Sequence, residues 1–378
     1  MTHKTASLAA FAVLGSFAGA GTIALDSTPV EEPVQSSLLD TVLGLPTLYD
    51  NPEGSFLQSF SLIGRYHGQY YYLDSNQGNA DDWDNRRRRL GFSAKFAAGV
   101  DLSSNFNVTW DGGRFVDNLE DVTLRFKPTD DTRITVGKFK APVTHEWRTS
   151  SNSVATMERS RIVNQAVPDK MGGVLGEVKT GDYTVFGGVF DNTVDPDWWY
   201  PAFDGGFSAY FGLSRGSEFG TTRLDYLYSD IDTDAPRNNT KGYDHLVALS
   251  HLYTSGKLSL MGEVLYGSGD SGRADVYGLT ILPMYDLNDR FRLVGRYQLA
   301  GSNSSDGFGL QSRYEREAPD LRSTTGDLYQ ALYLGINYAV GGDQRLRLQN
   351  GVEFSRMEQS VGGTFNALTF FSGVRFHF

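Results

Sequence analysis

The sequence predicts an all-β fold, a transmembrane antiparallel β-barrel of about sixteen strands. Three observations predict it. From Gly54 onward, apolar and polar residues alternate with period two in segment after segment, each near the roughly ten residues that a tilted membrane strand needs. The connectors between segments alternate between short and long. The chain also ends on an alternating aromatic strand whose last residue is Phe378, the usual ending of outer-membrane barrels and a signal for their assembly.

The first strand sets Phe60, Leu62, Tyr66, Tyr70 and Tyr72 against Ser59, Ser61, Arg65, His67 and Gln69. The stretch DNRRRRLGFSAKF (Asp84 to Phe96) continues as a strand with Leu90, Phe92, Ala94 and Phe96 on one face. Arg87, Arg89, Ser93 and Lys95 share the other. Parity groups Arg86 and Arg88 with the apolar face, so these two are expected beyond the hydrocarbon, at headgroup level or in the outer loop. Leu102, Phe106, Val108 and Trp110 then oppose Asn105, Asn107, Thr109 and Asp111, and Val122, Leu124 and Phe126 oppose Asp121, Thr123, Arg125 and Lys127. The end of the chain repeats the pattern. Phe291, Leu293, Tyr297 and Leu299 face away from Arg290, Arg292, Arg296 and Gln298, and Leu332, Leu334, Ile336 and Tyr338 from Tyr333, Gly335 and Asn337. Leu346, Leu348, Val352 and Phe354 oppose Arg345, Arg347, Gln349 and Glu353. Leu368, Phe370, Val374, Phe376 and Phe378 oppose Thr369, Arg375 and His377.

Short connectors read AAGVD, KPTDDT, KTGD, SRGSE, TSGK, DLND and GGDQ, while longer ones fall at residues 74–84, 141–169, 191–204, 231–240 and 302–326. Tight turns on one rim and long loops on the other are expected of a membrane barrel, whereas a soluble sandwich has no reason to alternate them. Aromatics at strand ends (Tyr70, Tyr71, Tyr72, Trp110, Tyr226, Tyr228, Phe376, Phe378) fit the girdles that sit at the two headgroup levels.

Composition agrees: 43 Gly, 20 Tyr and 24 Phe with only 12 Pro favour strands joined by tight turns. The absence of cysteine excludes thiol catalysis, cysteine-ligated zinc, iron–sulfur chemistry and disulfides. A net charge of −11 argues against a nucleic-acid partner, which demands an electropositive face. Residues 1–20 read as a signal peptide: Lys4, then the apolar SLAAFAVLGSFAGA, then the small-x-small Ala18-Gly19-Ala20. This apolar run is too short to span a bilayer as a helix, and no later stretch qualifies. Residues 21–53 form an acidic, Pro-bearing N-terminal arm, and residues 54–378 the barrel.

The alternation also sorts charge. Arg65, Arg87, Arg89, Lys95, Arg125, Arg223, Arg292, Arg296, Arg345, Arg347 and Arg375 fall on the lumen face, against only Asp111, Asp121, Asp225 and Glu353. Many acids fall instead in loops or the arm: Glu31, Glu32, Asp74, Asp81, Asp82, Asp84, Asp195, Asp197, Asp232 and Asp234. A column of guanidinium groups offers fixed positive potential and bidentate bonding to oxyanions. It favours anions where binding stays weak enough for release. No Walker motif or EF-hand spacing is present and the many glycines read as turn and strand-packing residues, so neither an enzyme, a cofactor nor a metal site is expected. His145 lies near Ser150 without a third group to complete a triad.

Three segments resemble the phosphate-selective porin O and P family. They are RRRRLGFSAKF (Arg86 to Phe96), VGKFKAPVTHEWRTSSNSVATMERS (Val136 to Ser160) and FGGVFDNT (Phe186 to Thr193). Within them stand the Arg-rich strand with its Leu-Gly, the turn of Gly137, Phe139, Lys140 and Pro142, the pair Ser150 and Ser151, and Met157-Glu158-Arg159. The resemblance implies a sixteen-stranded trimeric porin in the outer membrane of a Gram-negative-type bacterium. Its long third loop, residues 141–169 by position, folds into the lumen and narrows it. Lys138, Lys140, Arg148, Ser150, Ser151, Arg159 and Arg161 are then anion-binding candidates, with Glu146 and Glu158 pairing with neighbouring arginines. The chain departs from the family in its nine lysines against twenty-five arginines. The function expected is passive diffusion of small hydrophilic solutes with anion preference from the lumenal arginine column, phosphate being the anion that the resemblance implies. The alternatives are a non-selective general diffusion porin and a plugged structural or adhesin-like barrel. Outer-membrane lipid, sister copies and transiting anions are the expected partners.

Overall fold

The computed structural model describes residues 46–378 apart from 110–112, 194–202, 204, 231–239 and 271. The expected signal peptide, most of the N-terminal arm, Trp110, Asp111, Asp195, Asp197, Asp232 and Asp234 lie outside the described residues.

Sixteen antiparallel strands form one closed sheet. The first eight are β1 (Leu57–Ser75), β2 (Gly78–Phe96), β3 (Val100–Val108), β4 (Val116–Thr129), β5 (Thr132–Lys140), β6 (Lys170–Thr180), β7 (Tyr183–Asp191) and β8 (Phe207–Ser217). The second eight are β9 (Gly220–Ser229), β10 (Tyr243–Ser255), β11 (Leu258–Gly269), β12 (Val276–Asp286), β13 (Phe291–Ser302), β14 (Thr325–Ala339), β15 (Leu346–Gln359) and β16 (Thr364–His377). Each strand pairs with the next, and β16 returns to β1, from Ala367 opposite Ser75 to His377 opposite Arg65. Closure leaves no unpaired sheet edge inside the bilayer, where an orphaned backbone group costs several kcal/mol. The terminal Phe378 completes the seam: its N–H and carbonyl both bond Gly64 at 3.1 Å. Its ring lies so close over Gly64 that a Cβ there would meet Cζ at 2.4 Å. Just below, Thr47–Asp50 adds a short strand against Ser61–Ser59, so the end of the N-terminal arm is part of the sheet.

The period-2 reading assigns faces well. Leu293, Tyr297, Leu299, Leu332, Leu334, Leu348, Phe354, Leu368 and Phe370 are exposed on the outer surface, while Gln298, Tyr333, Arg347, Glu353, Thr369 and Arg375 are buried inside. Three local expectations are corrected. Residues 74–84 are not a long connector: Tyr70, Tyr71 and Tyr72 pair with Trp83, Asp82 and Asp81, and only Asn76 and Gln77 separate the strands. Tyr71 has the opposite parity to its neighbours and packs inside, 5% exposed, against Tyr314 rather than in a girdle.

The third correction concerns the arginine run. Between the pairs His67–Arg87 and Gln69–Asp84 the register slips, so three steps on β2 oppose two on β1. Such a bulge rotates the side chains beyond it. Arg86 therefore turns inward and its Nε reaches Glu158 Oε1 at 2.8 Å, while Arg88 keeps its outward parity opposite Tyr66.

The hydrophobic core lies inside the wall. Val143, Trp147, Ala155, Met157, Ile162, Val163, Ala166 and Val167, all from the β5–β6 connection, pack with inward Tyr71, Leu73, Met171, Phe190, Tyr210, Leu246, Met261, Tyr333 and Phe371. This connection carries two short helices, α1 (His145–Arg148) and α2 (Arg161–Ala166). Thr144 caps α1, its side chain accepting from Trp147 N.

Candidate functional site

Among the described residues, 141–169 make polar contacts with the inside of the wall on ten strands, Lys140 of β5 included. Arg65 Nη1 donates to Ser151 Oγ (2.9 Å), Gln69 Nε2 to Glu158 Oε1 (2.9 Å) and Arg375 Nη2 to the Met157 carbonyl (2.8 Å). Asn337 holds the Ala155 carbonyl (2.9 Å), Gln349 the Val154 carbonyl (3.0 Å) and Arg347 that of Asn152. Across the barrel Arg148 bonds Asp225 (3.3 Å) and Ser250 (3.2 Å), and Glu263 accepts from His145 N. Arg296 of β13 reaches Thr156 Oγ1 (3.2 Å) and the Glu158 carbonyl (2.5 Å). Arg86, already described, supplies the contact from β2.

What remains open beside this segment is a cavity of about 1370 Å³. Twelve arginines and four lysines line it against five carboxylates, the reverse of the chain's overall charge. One wall carries Arg65, Arg86, Arg87 and Arg89 from β1 and β2. The segment itself supplies Arg148, Ser150, Ser151, Arg159 and Arg161. The remaining wall, from β4 to β6, carries Arg125, Arg133, Lys138, Lys140 and Lys170 with Glu120, Asp121 and Glu177.

These cations differ in what they face. Arg89 bonds Glu120 at 2.7 Å, and Lys170 bridges Glu120 (2.8 Å) and Asp121. Glu158 is taken by Arg86 (2.8 Å) and lies 3.8 Å from Arg313. Burial alone would raise the Glu158 carboxyl, but Arg86, Arg313 and Arg87 hold it well below the usual carboxylate range. By contrast, among the described residues no carboxylate pairs with Arg65, Arg87, Lys140, Arg159 or Arg161. Lys140 Nζ donates to the Trp147 carbonyl (2.9 Å) and sits 4.4 Å from the centre of that indole. The Arg159 guanidinium stands 5.2 Å from the same ring. The indole thus offers its π face to both basic side chains at the cavity. Burial, then Arg316, lowers Arg161 to about 10, which still leaves it charged at neutral pH.

Of the residues predicted from sequence, Arg65, Arg87, Arg89, Arg125, Lys138, Lys140, Arg148, Ser150, Ser151, Arg159 and Arg161 come together around this cavity. Five others stand elsewhere. Lys95 sits exposed near the end of β2, opposite Asp101. Arg292 is held by Asp286 (2.6 Å), and Arg345 by Asp343 in the turn before β15 (2.5 Å). Arg296 and Arg347 are buried in the docking of the 141–169 segment. Parity states which side of the wall a residue faces, not its height or whether a loop fills the space beside it. Arg223 and Arg375 are likewise committed, Arg223 to Asp225 at 2.7 Å and Arg375 to Gln349 at 2.9 Å.

The sequence reading missed Arg86, Arg133, Lys170, Lys241, Arg273, Arg313 and Arg316. The period-2 pattern held the signal for Arg133, two residues before Thr135. Nothing local foretells the bulge that turns Arg86, nor the loops that bring in Arg273, Arg313 and Arg316. His145 contacts Arg148 (Nδ1 to Nη2, 3.3 Å), and burial, then Arg148 and Arg223, lowers it to about 4, so it is neutral at pH 7.

Arg86→Ala removes a cation from the cavity and frees Glu158, so single-channel chloride current should fall. Arg88→Ala, on the outer face, should leave the current unchanged. Equal effects of the two would return Arg86 to the outer surface.

The barrel resembles solved outer-membrane proteins across most of their length. Salmonella typhi OmpF, solved with daunomycin, superposes with a TM-score of 0.59 at 11% identity, covering 88% of this chain and 100% of that one. The anion-selective porin from Comamonas acidovorans gives 0.55 at 12% identity, over 85% and 99%. In-vitro folded OmpT of Vibrio cholerae, in a trimer form, gives 0.52 at 12%, over 84% and 99%. At these identities the likeness is one of fold. A search of curated proteins finds none that matches. The family model described as phosphate-selective porin O and P matches residues 60–198, which contain the arginine run and the connection that packs against it. Over residues 60–198 the chain is similar to that family of outer-membrane porins.

Proposed function

We propose that this porin passes small hydrophilic solutes passively and prefers anions, with the 141–169 segment forming its constriction. One observation carries the reading: four cavity arginines, Arg65, Arg87, Arg159 and Arg161, form no ion pair with a carboxylate among the described residues. Their potential is left for a solute, and at a narrow, partly desolvated site it is worth far more than in bulk water. Ser150 and Ser151 add hydroxyl groups beside them. The similarity in fold to a porin described as anion-selective is consistent with this. The paired charges of Glu120, Asp121, Lys170 and Arg89 favour a second reading, a general diffusion porin in which such groups only set a transverse field.

The working form is a homotrimer, as in the trimer form of OmpT, delivered by the signal peptide of residues 1–20 and embedded in outer-membrane lipid. Its role is transport without chemistry: no catalytic group, cofactor or metal is assigned. Reversal potentials in a KCl gradient across planar bilayers test the reading. Chloride preference supports it, and cation preference overturns it. Phosphate blocking the chloride current at low concentration is the result expected if the solute is phosphate. An oligomer that resists sodium dodecyl sulfate until heated is expected for the trimer.

A further inference from the structure

The connection between β13 and β14 also enters the interior. Its residues Phe308, Leu310, Tyr314 and Ala318 belong to the buried core, and Arg313 and Arg316 line the cavity. Two adjacent residues fasten it to the wall. Tyr314 donates its hydroxyl to Glu353 Oε1 (2.6 Å), whose Oε2 binds Arg296 (2.8 Å). Glu315 accepts from Tyr329 Oη (2.9 Å) and from the Gln311 backbone N–H (2.6 Å), and is itself fully buried.

We propose that residues 303–324 are a second arm of the constriction, latched inward by the neutral Glu315 carboxylic acid and released as that acid ionises. This rests on the channel reading above and adds regulation to the same site. The groups facing Glu315 explain the direction. Tyr329 of β14 offers a hydroxyl, and Ser355 of β15 faces the same carboxyl. Glu353 of β15 is a second carboxylate alongside, and its cation, Arg296, is committed to it. From its own loop come Tyr314 and Arg316. Arg161 of α2 is within electrostatic reach but turns its Nε to the carbonyls of Gly309 and Leu310 (2.6 and 3.0 Å). No cation pairs with Glu315 among the described residues, so a charge there is buried beside Glu353 without compensation.

Burial, reinforced by Glu353, pushes the Glu315 carboxyl up from 4.5 to about 7. An acid raised in the latched state holds the latch fully below its released pKa and loses it as pH climbs to the latched one. The ratio of latched to released loop therefore falls about tenfold per pH unit between pH 4.5 and about 7, and is flat above. Release withdraws Arg313 and Arg316 from the cavity, so conductance rises and chloride preference weakens over that interval.

The test records single-channel KCl conductance of the full-length protein from pH 4 to 9, with hydrogen exchange of residues 308–318 in detergent, corrected for intrinsic rates, over the same range. The expected result is a step in both between pH 4.5 and 7 that Glu315→Gln, which cannot ionise, abolishes. A step of equal size in Glu315→Gln, or none in the wild type by either readout, overturns the latch. Exchange that steps in a protein that never conducts keeps the latch and rejects the porin.

Discussion

Arg296→Ala is expected to loosen the interior of the barrel more than any other single change. The side chain is 2% exposed and joins a wall carboxylate, Glu353, to a loop carboxylate, Glu146. Its guanidinium binds Glu353 at 2.8 Å, lies 3.5 Å from Glu146, and donates to Thr156 and to the Glu158 carbonyl. Alanine leaves the Glu353 and Glu146 carboxylates buried without their shared cation. Removing one partner of a buried pair typically costs about 3–5 kcal/mol, because the other charge is stranded. The loss falls on loop docking as well as on the wall, since Tyr314 also depends on Glu353 for its position. A lower urea midpoint in lipid vesicles and a wider, noisier spread of single-channel conductances are the expected readings. Normal conductance with an unchanged midpoint would mean that Arg296 is not the hub its contacts describe. Arg292→Ala is the control, because Arg292 pairs with Asp286 outside the cavity and partly in solvent.

The wall of this barrel was legible in the sequence because bilayer and lumen impose opposite chemistry on alternate residues. Leu332 and Tyr333, or Phe370 and Thr369, carry that contrast in their types alone. Two kinds of fact escape such a reading. One is a change of parity within a strand: four arginines in a row contain no mark of where β2 gains a residue against β1, and so Arg86 and Arg88 read alike. The other is the interior of a loop. Residues 303–324 show no period, and Tyr314 and Glu315 acquire meaning only against Glu353 and Tyr329, which lie up to 39 positions away in the chain. The segment 141–169 was placed by resemblance rather than by pattern, since its buried residues Met157, Ile162 and Val163 match a three-dimensional surface and no simple period. Lumen acids were undercounted for the same reason. Glu120 stands beside a register shift on β4, and Glu146, Glu158 and Glu315 belong to loops.

The triple replacement Arg87→Ala, Arg89→Ala, Lys140→Ala should carry the largest change in selectivity. Among the described residues neither Arg87 nor Lys140 forms an ion pair with a carboxylate, so their removal takes donors and positive potential from the cavity without stranding an ion-paired anion. Arg89 acts differently. It neutralises Glu120 at 2.7 Å, and its loss leaves that carboxylate shared only with Lys170, which also serves Asp121. The triple variant therefore loses two basic side chains that form no ion pair among the described residues and partly unmasks an anion on the facing wall. The wild-type reversal potential in a KCl gradient should lie on the chloride side, and that of the triple variant should move towards zero or past it. Arg89→Ala combined with Glu120→Gln separates the two effects, because it removes the pair together and should leave the potential near the wild-type value. All three positions lie on the cavity surface and none joins the docking contacts of Arg296, so the oligomer should still assemble. A triple variant that keeps the full wild-type chloride preference would place the selectivity elsewhere, with Arg159 and Arg161 of the inserted segment the next cations to replace.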